Sequence, residues 1–402
     1  MRKVKLSEVL FFQEGPGVRN VQFTDSGIKL LNVGNINNGE IDLSTTKIHI
    51  SRDEAYGKYK HFLAEEGDLV IASSGIIVSN FHNKIAFIKK EHLPLCMNTS
   101  TIRFRALDDK ELDINFFRFF LQTIFFKKQL SRLITGSAQL NFGPSHLKQI
   151  ELPLPDIRIQ KDIATQLNVA EGLYRTDIQL SIKYLELLQS TYSYFFGDVK
   201  INRKKYGAKK MCDIAEVASG VAKNTSAYQH DFIEVPYMRV ANVQDGYISL
   251  EEIKTIKVST SDYQRYLLQK NDILLTEGGD PDKLGRGAVW HGRIDPCIHQ
   301  NHIFRVRPNA NIINSVYLSY HIGSSYGKKY FLKAAKQTTG IASINMTQLK
   351  NFEVIVPPLS LQNQFAEIIT NIEEQKALVK LQQQKSEMLF KSLLQQAFEG
   401  IL

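Results

Sequence analysis

The chain has 402 residues, 43% of them hydrophobic and 23% charged, a globular composition that excludes a mainly disordered protein. Fifty Lys and Arg against 41 Asp and Glu leave a net charge of +9, which points to a polyanionic partner. Cys96, Cys212 and Cys297 are odd in number and far apart, which excludes a disulfide framework and fits a reducing cytosol.

In chain order, the start MRKVKLSEVLFF has too short an apolar run for a signal peptide, and no later run approaches the ~18 residues of a membrane span. A soluble, cytoplasmic protein is expected. LLNVGNINNGEIDL (30–43) returns as YMRVANVQDGYISL (237–250), Asn242 matching Asn35 at a shift of 207. FLAEEGDLVIASSG (62–75) returns as YLLQKNDILLTEGG (266–279), and TGSAQLNF (135–142) as TGIASINM (339–346), both at a shift of 204. LPLPDIRIQKDIA (152–164) returns as VIVPPLSLQNQFA (354–366) at a shift of 202. Four blocks in one order, offset by half the chain, mark a single internal duplication.

Each half has one plan. Alternating segments such as KLLNV, DLVIAS and TIRFRA read as strands, with turn chemistry at Asn37-Asn38-Gly39 and Asp245-Gly246. An aromatic-rich helix follows, at 114–133 and 315–335, its Phe and Tyr spacing that of a core stripe. Proline punctuation (LPLP at 152–155, VPP at 356–358) then opens a long helix, 158–196 or 360–399, closed by Gly197 or Gly400. Ile159, Gln166, Leu173, Leu180, Leu187 and Tyr194 recur every seventh residue in the first. Phe365, Ile372, Val379 and Leu393 do so in the second, flanked by Leu361, Ile368 and Leu389. Sustained heptads predict a coiled-coil seam, and ~39 residues make a rod of roughly 58 Å. The fold class is therefore α+β: two tandem repeats, each a mixed α/β domain followed by a long helix, with the two helices paired antiparallel. The expected divisions are 1–153, 154–200, 201–355 and 356–402.

Catalytic chemistry is missing from the sequence. The stretch from Gly323 to Lys329 is one residue short of a phosphate-binding loop and lacks its hydroxyl. The run Gly285–Trp290 fails a dinucleotide fingerprint at the third glycine. Cys297, His299 and His302 lack a fourth ligand at zinc spacing. The loop Asp280-Pro281-Asp282-Lys283 has no counterpart in the first half and reads as a specificity or surface loop. No catalytic residue, cofactor site or metal site is expected. What recurs instead is clustered donors and acceptors of the types that read base edges. These are Asn35, Ser73, Ser74, Asn98 and Thr99 (with Asn32 and Ser100) in the first half. The second half offers Arg239, Asn242, Glu277, Asp280, Arg286, His299, Gln300 and Asn301. Gly39/Gly246, Asp68/Asp272, Ala86/Ala288 and Arg105/Arg307 match between the halves as scaffold, whereas the polar tips differ. Lys127, Lys128, Arg132, Lys328, Lys329 and Lys333 end the aromatic helices, as phosphate contacts or as a solvated face.

With these blocks in hand, the sequence resembles a type I restriction-modification specificity subunit. The resemblance rests on GDLVIASSG and NDILLTEGG, CMNTSTIRF and CIHQNHIFRV, TGSAQLNF and TGIASINM, and the proline-then-glutamine entries to both long helices. It covers essentially the whole chain. It implies two target recognition domains that each read half of a split site on double-stranded DNA, spaced by two helices. It also implies no catalytic centre, and docking of methyltransferase subunits and of restriction and translocase subunits. One departure is that the first half lacks the His-Gln-Asn stretch of 299–301. The alternatives from the residues alone are a coiled-coil scaffold for other proteins and a DNA-binding adaptor of another defence system.

Overall fold

The computed structural model describes residues 2–400 except 45, 77, 135–139, 200, 223–231, 281–283 and 339–340. The TGSAQ and TG starts of the third repeated block and Pro281-Asp282-Lys283 therefore lie outside the described residues. The chain forms two compact units: unit 1 is Met1–Ile178 with Leu381–Leu402, and unit 2 is Gln179–Lys380.

In unit 1 an antiparallel four-stranded sheet runs in the order 10–14, 101–106, 69–72, 85–87. The strand 69–72 is buried throughout, as its unbroken apolar run requires. A smaller sheet joins 95–97 in parallel to 28–31, which pairs antiparallel with 49–50. Strand 2–5 pairs with 151–154. Unit 2 repeats this plan: 215–219, 303–308, 273–276, 287–289 in the larger sheet, 254–259, 232–238, 298–299 in the smaller, and 207–210 with 353–356. The registers correspond, Thr101 opposite Ala72 in one and Ile303 opposite Thr276 in the other. Asn38 and Gly39 both have positive φ in a two-residue hairpin loop, the geometry an Asn-Gly pair favours.

The single aromatic helix predicted in each half is two. Unit 1 has α1 (Ile114–Phe120) and α2 (Ile124–Leu133), and their split falls at Thr123, whose hydroxyl accepts from the Phe126 amide and starts a new helix. The long helix α3 spans Ile157–Phe196. In unit 2, α4 (Ser315–Gly323) and α5 (Ser325–Ala334) divide at Ser324, which caps the Gly327 amide, and α6 spans Leu359–Glu399. The aromatic stripe is core: Phe116, Phe117, Phe119, Phe120 and Phe126 are fully buried in unit 1, as are Tyr317 and Phe331 in unit 2.

Gly197 and Gly400 follow α3 and α6 with φ of +70° and +81°, the left-handed stop predicted for them. In α6 the predicted heptad row is largely turned inward: Phe365 and Val379 are buried and Ile372 lies against the core of unit 2, although the flanking Ile368 and Leu389 are exposed. For α3 it is corrected by one residue. Ile159, Leu173, Leu180, Leu187 and Tyr194 are exposed, and the buried row runs through Gln160, Ile163, Leu167, Ala170, Asp177, Leu188 and Tyr192. Hydropathy chose the wrong row because the buried one carries Gln160 and Asp177, which bury only with hydrogen bonds. Within unit 1, Asp177 accepts from Gln382 Nε2 at 2.8 Å and Ser386 Oγ at 2.7 Å, and Phe398 stacks on Phe116 with centroids 4.8 Å apart. Within unit 2, Phe196 and Phe365 meet edge to face at 5.1 Å.

Why glutamine follows the prolines is visible in both units. Gln160, fully buried, accepts from the Asp113 amide at 2.9 Å and donates to the carbonyls of Glu111 and Pro155, both at 2.9 Å. Gln362 accepts from the Asn314 amide at 2.8 Å and donates to the carbonyls of Ile312 and Pro357. One acceptor and two donors are used at once, so neither Leu nor Glu can replace it. Gln160→Leu is expected to cost about 1–3 kcal/mol by leaving a buried amide unsatisfied, and Gln160→Glu is expected to destabilise as well. Urea unfolding checks both, and an unchanged midpoint for the leucine variant contradicts the latch.

Candidate nucleic acid interface

Each unit holds its polar tips on a shared backbone frame. A buried carboxylate anchors it: Asp68 accepts from the Glu65 amide and binds Arg103 and Arg105, and Asp272 accepts from the Gln269 amide at 2.8 Å and binds Arg307 through two nitrogens at 2.7 and 2.8 Å. The carboxylate beside it raises the pKa of Arg307, as Asp68 does for Arg105. Above the anchors, Gly15 packs so closely on Asn98 that a Cβ would fall 2.2 Å from its carbonyl oxygen, and Gly220 meets His299 in the same way at 2.1 Å. Sequence reading passed over these two glycines, although they stand 205 residues apart, inside the range of the repeat shifts.

Several predicted base readers instead build the frame. Asn35 is buried, accepting from the Asn32 amide at 3.0 Å and donating to the Asp42 carbonyl at 2.9 Å. Asn242 does the same with the Arg239 amide and the Ser249 carbonyl, both at 3.0 Å. Asn98 is buried and donates to Asn32 Oδ1, and the Ser73 side chain is buried. His299 is fully buried, its Nδ1 3.0 Å from the Ile303 carbonyl, and burial pushes its pKa down to about 3, so the ring is neutral. Asn35, Asn242, Asn98 and His299 are thus hydrogen-bonded within the fold, whereas the buried Ser73 hydroxyl has no hydrogen-bond partner among the described residues. Their residue types suit both roles, and only burial separates the two. Arg239 is mostly buried and held by the Glu252 carboxylate and carbonyl.

The remaining candidates reach the surface. Thr99 is exposed, and Ser74 donates to Asn141 Oδ1 at 2.7 Å. In unit 2, Asp280 is exposed, and Arg286, Gln300 and Asn301 are half-buried, with Arg286 Nη1 3.4 Å from Gln244 Oε1. Glu277 pairs with His302, Oε2 to Nδ1 2.8 Å. Lys128, Arg132, Lys328, Lys329 and Lys333 lie on the outer faces of α2 and α5, and Lys328 meets Asp245 at 3.1 Å. His302 entered the sequence reading only as a doubtful metal ligand. In sequence it aligns with Thr101, and only the backbone hydrogen bonds place it with Ser100. Burial raises the Cys297 thiol to about 12, which keeps it protonated. Among the described residues no group of three His, Cys, Asp or Glu is placed to hold a metal ion, and no helix is long and apolar enough to cross a membrane.

The frame itself is duplicated. Ser73 N donates to the Ser100 carbonyl at 2.8 Å, and Phe142 N to the Ser73 carbonyl at 3.0 Å. Glu277 N donates to the His302 carbonyl at 3.0 Å, and Ile344 N to the Glu277 carbonyl at 2.9 Å. One backbone pattern therefore carries Ser73 and Ser100 in one unit, Glu277 and His302 in the other.

The model of the type I restriction modification DNA specificity domain matches this chain twice, over residues 1–177 and 203–387. The chain belongs to that family, carries two of its domains, and is a specificity subunit rather than a catalytic one. The type I restriction enzyme StySPI specificity subunit of Salmonella potsdam is 23% identical over 365 residues, covering 87% of this chain and 75% of that one. The MjaVIII specificity subunit of Methanocaldococcus jannaschii is 29% identical over 170 residues, covering 42% of this chain and 39% of that relative's length. In fold, the chain is similar to the crystal structure of the type I restriction-modification S subunit of M. genitalium, with a TM-score of 0.61 at 15% identity, over 99% of this chain and 96% of that one.

His299 and the equally buried His321, lowered to about 4, both belong to unit 2. A histidine whose folded pKa lies below its unfolded value of ~6.5 gives stability that is full above 6.5 and lost as pH falls through the folded pKa. Unit 2 is therefore expected to lose stability between about pH 6.5 and 3. Hydrogen exchange across that range checks it, and protection lost first from unit 1 contradicts it.

Proposed function

We propose that this chain is the sequence-specific DNA-binding subunit of a type I restriction-modification complex, each unit reading one half of a split site on double-stranded DNA. The observation that supports this most is the duplicated frame with different polar tips: a fold repeated to the level of single hydrogen bonds, carrying different donors and acceptors. Exposed lysines and arginines on α2 and α5 supply phosphate contacts, which position without specifying. The expected divisions at 153, 200 and 355 then separate recognition domains from spacer helices.

In this reading α3 and α6 pair antiparallel along their length as a ruler. At 1.5 Å per residue, ~40 residues give about 60 Å, which accommodates two readers one helical turn of DNA apart, roughly 34–36 Å. The exposed row Ile159, Leu173, Leu180, Leu187 and Tyr194 leaves an apolar face for docking methyltransferase subunits, with restriction and translocase subunits joining the complex.

Replacing residues 210–350 by the matching segment of another family member is expected to change one half-site and leave the other intact, as read by mapping methylated adenines in cells that also make the methyltransferase subunits. A change in both half-sites, or in neither, overturns the modular reading. Matched four-residue insertions in α3 and α6 are expected to lengthen the unread spacer by one or two base pairs, since each adds about 6 Å. An active insertion variant with the original spacer refutes the ruler.

A further inference from the structure

Glu277 and His302 stand where unit 1 has Ser73 and Ser100, on matching backbone hydrogen bonds. The fold does not need the Glu277–His302 contact, because the same frame closes over two serines. Its exposure says the same: the His302 side chain is 61% and the Glu277 side chain 35% accessible, and surface contacts this open to water add little stability.

A carboxylate on a face that approaches phosphates is repelled, so its presence there calls for a compensating donor. In the major groove the only donors are the exocyclic amino groups, N4 of cytosine and N6 of adenine. The carboxylate can only accept, so the proton of the 2.8 Å contact is on His302 Nδ1. That bond fixes Oε2, while Oε1 has no partner among the described residues.

Resting on the DNA-reading function above, we propose that Glu277 selects one base pair of the second half-site by accepting a hydrogen bond from a cytosine N4 or adenine N6 amino group, and that His302 is the positioning residue that aims it. The specificity of unit 2 then has an acidic component that unit 1, with serine at the matching place, lacks.

The test is methylation mapping in cells that make the full chain with its methyltransferase subunits, for wild type, Glu277→Gln, His302→Ala and the double variant Glu277→Ser with His302→Ser. A wild-type map without a split site refutes the DNA-reading function itself. Given a split site, Glu277→Gln is expected to lower discrimination about tenfold or more at one base pair of the second half-site. His302→Ala is expected to relax the same base pair by less, with the first half-site and the spacer unchanged. A purely structural role predicts fewer methylated sites of unaltered sequence, and that result overturns the proposal, as does relaxation spread over several positions. If the double variant abolishes methylation, binding of the same complex to duplexes carrying all four pairs at each second-half position decides. Loss confined to discrimination at one position supports the proposal, and equal loss for every duplex overturns it.

Discussion

Beneath each larger sheet lies a carboxylate removed from water, Asp68 in unit 1 and Asp272 in unit 2, each about 1% exposed. An isolated buried carboxylate is prohibitively costly, so it must be met by charge and by amide donors. Arginines of the strand ending at Ala106 or Pro308 supply the charge, and the amide of Glu65 or Gln269 closes the turn that leads into the neighbouring strand. The pairing thus fixes two central strands against each other at the turn where the first of them begins. Losing one partner would leave a buried charge uncompensated, which costs several kcal/mol in general.

The same logic explains the glutamines at the start of the long helices. Gln160 and Gln362 satisfy the amide that opens α1 or α4 and the carbonyl before it, so the long helix and the aromatic helix leave one hydrogen-bonded junction. The aromatic residues then fill the space behind that junction, Phe116 against Phe398 in unit 1 and Tyr317 against Phe196 in unit 2. Polar residues set direction, and apolar ones supply most of the burial energy.

The sequence by itself determined the duplication, the order of elements, the two long helices to within a residue, their glycine stops and the scaffold pair of Asp and Arg. These are local or repeat signals: proline and glycine act on the backbone where they stand, and a repeat needs no structure to be seen. The family followed from the same motifs. Only the tertiary structure decided which face of α3 is buried, because the buried row holds Gln160 and Asp177 and hydropathy cannot anticipate their hydrogen bonds. It also showed Asn35, Asn98, Asn242 and His299 buried and hydrogen-bonded within the fold, and Glu277 and His302 more open to solvent. A polar side chain has the same composition in either place, and whether it serves the fold or a ligand depends on burial, a property of chain segments far apart in sequence.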